Sequence, residues 1–175
     1  MRYYILFMSL LALTKLAFPM RNIDYSLWKA VGNGNYGEVK KALDKGADPT
    51  VSVKNGLPTL HKAILNGNEK IACYIIRKTN KDINTRKVGT LTTPLHLAAS
   101  RGLENVVNEL LQHKAQVDIV DADGNTPLHS AVNGRLDYVV VKLLIRYSVS
   151  VRAVNKWKKT PLHIAALYGA TSIVE

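Results

Sequence analysis

Four histidines recur along the chain at nearly even spacing. His61, His96, His129 and His163 are separated by steps of 35, 33 and 34 residues. An imidazole can hold a metal, move a proton near neutral pH, or make two hydrogen bonds. Helical zinc sites place their histidines within a turn or two of one another. Here they stand one repeat apart, with no acid or thiol at a fixed offset. The expectation is therefore structural, with each ring bonding the loop or threonine of an adjacent unit, and no metal or cofactor is expected. His113 stands alone and reads as a solvated residue after a helix. Ser100 and Ser130 lie near two of the histidines, but nothing marks either as an activated nucleophile. The stretch Gly32-Asn33-Gly34-Asn35-Tyr36-Gly37 imitates a dinucleotide loop but lacks the preceding strand such a loop requires. The sole cysteine, Cys73, excludes an internal disulfide and a zinc site built on several cysteines. It reads as a buried small apolar residue. No residue is assigned to catalysis, and the chain is not expected to be an enzyme.

The neighbours of the histidines explain their spacing. Thr93-Pro94-Leu95-His96 recurs as Thr126-Pro127-Leu128-His129 and as Thr160-Pro161-Leu162-His163, with a scrambled copy at Pro58-Thr59-Leu60-His61. One further step back lands on Trp28. Threonine can cap a helix through its hydroxyl, and proline suits the first helical position, where its missing N–H costs nothing. Gly67, Gly102 and Gly169 each follow their histidine by six residues, where a glycine can end a short helix. A second apolar segment follows, Ile71 with Ile75-Ile76 and Val106-Val107 with Leu110-Leu111, at helical spacing. Segments such as Asp121-Ala122-Asp123-Gly124-Asn125 supply the turns between units. One helix pair cannot bury both its faces, so such units must stack.

These motifs resemble ankyrin repeats, whose helix-turn-helix units carry a T-P-L-H-x-A signature. The resemblance runs from about Tyr25 to Glu175, and its style is similar to the ankyrin proteins of rickettsia-like obligate intracellular bacteria. It implies an all-α ankyrin-repeat solenoid of about five units with short β-hairpin loops. The units fall at 21–52 (a capping repeat), 53–87, 88–120, 121–154 and 155–175 (incomplete). It also implies protein binding by hairpin fingers and a concave face.

Departures from the pattern carry their own expectations. Ile23–Pro49 lacks the tetrad but keeps Ala30, Gly34, Val39, Leu43 and Gly46-Ala47-Asp48. The Pro58/Thr59 exchange is expected to move a helix start. The loop Thr85–Thr92 is about two residues long in excess. Gly134 comes one residue early, an extra residue lies between Val139 and Val151, and Tyr147-Ser148-Val149-Ser150 replaces the usual Gly-Ala-Asp, so an altered exit is expected there. Thr171–Glu175 is expected to be poorly ordered in isolation.

The chain's 175 residues are 47% apolar and carry a net charge of +11. Such charge can attract nucleic acid, anionic membrane or acidic proteins, yet here it is scattered, which argues against nucleic acid. At the N-terminus, Arg2 precedes the apolar run Tyr3–Leu13, which has the length of a signal-peptide core, and Lys15 interrupts it. A cut after Ala17 puts Lys15 at −3, while a cut after Thr14 gives a mediocre −1 residue. Residues 1–20 thus read as a cleaved signal, an uncleaved anchor or an apolar cap. Export or anchoring is favoured over a cytoplasmic location, and membrane contact is expected only through this segment.

The function expected is that of a protein-protein interaction module, with an unidentified partner that an exported factor would find among host proteins. The alternatives are a basic nucleic-acid or anionic-membrane binder, and a part of a longer protein or a degraded gene product. The candidate partner-binding residues are Lys156, Trp157 and Lys158 on one finger, Arg86 and Lys87 on another, and Lys62, Arg101, Asn133 and Tyr168 in variable slots of the first helices.

Overall fold

The computed structural model describes residues 21–54, 57–134 and 138–169. The expectations for residues 1–20 and for Thr171–Glu175 lie outside the described residues. Within them the chain is a run of paired short helices: α1 (Asn22–Gly32) with α2 (Tyr36–Asp44), α3 (Thr59–Leu65) with α4 (Glu69–Lys78), α5 (Pro94–Ser100) with α6 (Glu104–Gln112), α7 (Pro127–Asn133) with α8 (Tyr138–Arg146), and α9 (Pro161–Leu167). First helices pack on first helices and second on second, so α3 contacts α5, α5 contacts α7, and α4 contacts α6. The core is one continuous seam of Leu, Ile, Val and Ala from Leu27 to Ala165. This is the all-α solenoid expected. A two-stranded antiparallel hairpin precedes α3, β1 (Ser52–Lys54) pairing with β2 (Leu57–Pro58).

Three rows of hydrogen bonds tie successive units together. Along the fingers, the Ala122 N–H donates to the Thr90 carbonyl at 2.9 Å and the Lys156 N–H to the Asp123 carbonyl at 3.0 Å. At the opposite end of the units, the Gln116 N–H donates to Asn84 Oδ1 at 2.8 Å and the Ser150 N–H to the Asp118 carboxylate at 2.9 Å, while a similar bond within the first unit runs from the Asp48 N–H to the Asp24 carboxylate at 2.7 Å. The third row is made by the histidines.

The exchange of Pro58 and Thr59 does not move the helix start. Pro58 stands before α3 at the position Thr93 holds for α5, three residues before the histidine. What the exchange removes is the cap itself, since proline offers neither hydroxyl nor N–H. The fourth unit's exit is likewise unaltered. Ser148 adopts φ +60°, as Lys114 (+62°) and Gly46 (+81°) do in their units, and Val149 is buried in the place of Ala115 and Ala47. The extra residue lies before Val140, which is buried like Val106 but stands eleven residues after its histidine instead of ten. At Gly134 the backbone closely approaches that of Ser100 in the preceding unit. A Cβ on it would lie 2.1 Å from the Ser100 carbonyl oxygen, so no other residue fits without a shift. In the loop before α5, the finger turn spans Lys87 to Thr92, one residue more than Asp121 to Asn125 or Asn155 to Lys159.

Candidate binding surface

The histidine geometry settles how that residue is used. In α5 the Thr93 hydroxyl accepts the His96 N–H at 3.4 Å, while His96 Nδ1 faces the Thr93 hydroxyl at 2.8 Å and the Thr93 N–H at 3.3 Å. His96 Nε2 lies 2.9 Å from the Asn125 carbonyl of the next unit. A carbonyl only accepts, so Nε2 carries the proton and Nδ1 is the acceptor. The ring is neutral, and both nitrogens are in use. The same box joins Thr126 to His129 and Thr160 to His163. His129 Nε2 reaches the Lys159 carbonyl at 3.0 Å, and His61 Nε2 the Thr92 carbonyl at 2.8 Å. The bond to a neighbouring loop was expected; the closed capping box within the unit was not. Burial holds the ring pKa low, to about 4 for His61 and in the same direction for His96 and His129, with the carbonyl partners opposing the shift.

Other candidates for chemistry prove structural. Ser100 donates its hydroxyl to the Leu97 carbonyl of its own helix. Gly34, at φ +67°, and Asn35, which caps α2 by accepting the Glu38 N–H, make the Gly-rich stretch a helix-to-helix turn. Cys73 is buried, and burial, followed by the nearby Glu109 charge, raises its thiol pKa. His113 is exposed, its Nδ1 2.9 Å from the Glu109 carbonyl.

The finger carrying Lys156, Trp157 and Lys158 is braced from within. The Asn155 side-chain oxygen accepts the Trp157 and Lys159 N–H groups, both at 3.1 Å, and Asn155 Nδ2 donates to Asn125 Oδ1 of the preceding finger at 2.9 Å. Asn155 thereby repeats the role of Asp121, which accepts the Asp123 and Asn125 N–H groups. Trp157 is 56% exposed, and its face is met by Lys156 Nζ, 4.4 Å from the ring centroid. Lys156 also pairs with Asp123. On the finger before α5, Arg86 is exposed, Lys87 is half-buried, and Val88 projects at the tip.

The helical candidates divide, with Lys62 and Arg101 half-buried and Asn133 and Tyr168 exposed. Lys62 lies 3.1 Å from the Trp28 ring centroid and donates to the Trp28 carbonyl at 3.1 Å. It is thus held within the stack, where Trp28 occupies the histidine position of the first unit. Tyr168 donates its hydroxyl to Asn133 Oδ1 at 3.0 Å, joining two candidates across units. Arg101 is half-buried at the C-terminus of α5. The fingers and the first helices therefore present two separate groups of candidates. Sequence reading passed over Ile145 and Leu162, which the structure leaves exposed beside an apolar groove. Their letters match buried residues in other units, so only three-dimensional neighbours reveal them.

Comparison with known proteins agrees with this geometry. Ankyrin repeats in the three-copy form match residues 80–140 and 95–175, and the many-copy form matches 27–76. Mouse (Mus musculus) rabankyrin-5 is 35% identical over 120 residues, 62% of this chain but 10% of that protein. An ankyrin repeat protein of Rickettsia bellii is 32% identical over 126 residues, covering 72% of this chain and 48% of its own length. Human (Homo sapiens) ankyrin repeat and SOCS box protein 16 is 28% identical over 158 residues, 86% of this chain and 34% of that one. The chain thus spans from about a tenth to about half of these relatives. With repeat, capping box and family matches in agreement along the described units, the chain belongs to the ankyrin-repeat family, a family of protein-protein interaction modules.

Proposed function

We propose that this array grips a protein partner through its row of finger tips, with Trp157 as the main anchor. The observation that carries the reading is an exposed indole on a loop already held by its own hydrogen bonds and by the preceding finger. An aromatic presented in this way loses little freedom on binding, and tryptophan is over-represented among residues that dominate interface energy. Lys156 and Lys158 flank it and favour an acidic surface on the partner. Lys87 and Val88 extend the row.

We place the protein outside the cytoplasm of the cell that makes it, acting on host proteins. The apolar run Tyr3–Leu13, of the length of a signal-peptide core, supports this. Among the described residues no helix is long and apolar enough to cross a membrane.

The test is affinity capture from host lysate with the full chain, followed by titration of the captured partner. Trp157→Ala is expected to weaken binding by about 2 kcal/mol, roughly thirtyfold, with the melting temperature nearly unchanged. Unchanged affinity, or a large loss of stability, overturns the role given to Trp157. Fractionation of tagged full-length protein tests export.

A further inference from the structure

The outward face of the second helices changes character at α8. Val140 of α8 corresponds to Val106 of α6, and Leu144 to Leu110, all four buried. In that register Tyr138, Val139, Arg146 and Tyr147 take the places of Glu104, Asn105, Gln112 and His113. Those four are exposed on α6, although α6 has a second helix packed on either side of it, α4 and α8. Exposure at these places therefore belongs to the position and not to the end of the stack. What differs is the chemistry. Between α4 and α6 the outward polar groups satisfy one another, Asn105 donating to Glu69 at 3.0 Å and Arg77 to Glu109 at 2.9 and 2.6 Å. On α8 the place of Glu109 is taken by Leu143, and the helix carries no carboxylate. Tyr138, Val139 and Tyr147 are 50%, 46% and 40% exposed where α6 shows polar groups.

Tyr138, Lys142 and Arg146 follow one another at four-residue intervals and so share a face, with Val139, Leu143 and Tyr147 as the adjoining row. Lys142 Nζ lies 5.9 Å from the Tyr138 ring centroid. Among the described residues neither Lys142 nor Arg146 forms an ion pair with a carboxylate. A second copy docking by the same face would therefore bring like charges together. Every side chain on this face is apolar or amphipathic. A lysine or arginine stem can lie against acyl chains with its charge among phosphates, and a tyrosine can sink its ring and keep its hydroxyl wet. We propose that the outer face of α8 rests on an anionic lipid surface, with Lys142 and Arg146 among the headgroups and Tyr138 and Tyr147 at the boundary with the acyl chains. The letters pointed to membrane contact only through residues 1–20, and this face is a second and independent point of contact. It uses other elements than the finger tips and does not depend on the role given to Trp157.

The test is co-sedimentation of the full chain with vesicles of phosphatidylcholine, alone or with about a third phosphatidylserine. The anionic vesicles should be bound at least about tenfold more tightly, and the difference should shrink as salt is raised. Lys142→Glu and Arg146→Glu should each weaken that binding by about fivefold or more, and Tyr138→Ser by about threefold. Lys29→Glu, the same charge change at an exposed place on a first helix, should alter it by less than about twofold. Residues 1–20 are present in every chain compared, so their contribution to binding is common to all. A second readout is specific to the position: anionic vesicles should shield Lys142 from amine acetylation and leave Lys29 reactive. The substitutions fall on exposed side chains, and circular dichroism checks that the fold persists. Equal binding of the two vesicle types, indifference to all three α8 substitutions, or an unshielded Lys142 overturns the proposal. Shielding of Lys142 by soluble polyglutamate as strong as that by the vesicles also overturns it, in favour of an acidic protein on the same face.

Discussion

The caps of α3 and α5 differ by the order of two residues. In α5, Thr93 precedes Pro94, and the His96 ring is held on both sides. In α3, Pro58 precedes Thr59, and the bond from His61 to the next unit remains, at 2.8 Å. Yet His61 Nδ1 and the Thr59 hydroxyl are both buried without a hydrogen-bond partner. The histidine thus does two separable jobs, closing its own helix and latching onto the following unit. The second unit keeps the latch and gives up the closure. It also shows that stacking alone can hold a short helix in register, because α3 starts at the same distance from its histidine as α5 does.

The largest effect should come from breaking the complete version. His96→Ala removes the cap acceptor and the inter-unit donor and leaves a cavity, for an expected loss of about 4 kcal/mol in urea unfolding. His61→Ala sacrifices one hydrogen bond and also disposes of an unsatisfied nitrogen, so about 2 kcal/mol is expected. Equal losses at the two positions would refute the division of labour.

Acid should act through the same rings. The unfolded imidazole takes up its proton near pH 6.5, whereas folded His61 does so only near 4. The unfolded state therefore binds more protons in that window. Stability is complete above about pH 6.5 and is lost as pH falls towards 4, by about 3 kcal/mol from His61 at the bottom of the range. His96 and His129 shift in the same direction and add to the loss. Urea midpoints at several pH values, for the native chain and for His61→Leu, measure the His61 share as a flatter profile in the variant.

A smaller effect, of opposite sign, sharpens the comparison. Exchanging the pair, Pro58→Thr with Thr59→Pro, should rebuild the box on His61 and stabilise the chain by about 1–2 kcal/mol. A neutral or harmful exchange would mean that the α3 backbone cannot accept the box.

Much of this was legible in the letters. The recurrence of threonine, proline and histidine placed the units, and helix-capping chemistry explained the first two residues. The histidine's tautomer was not legible, because it depends on a carbonyl about thirty residues away: Asn125 for His96 and Lys159 for His129. The Lys62–Trp28 contact was hidden for the same reason, which is why Lys62 read as an open binding position. Ser148 was misjudged because composition suggested a different exit, while the backbone kept the same left-handed turn with serine in glycine's place. Leu162 and Leu128 are the same letter in the same motif, and their opposite burial is decided by what packs beside them. Periodicity reports the unit; it does not report the unit's neighbours.

The latch makes every joint of the stack individually observable. A ring proton held by the carbonyl of the following unit exchanges slowly with solvent only while that unit is docked. His61, His96 and His129 each touch a different neighbour. Their imidazole signals in a nuclear magnetic resonance spectrum should therefore act as three independent gauges, reporting which joint opens first as the array is heated or pulled apart.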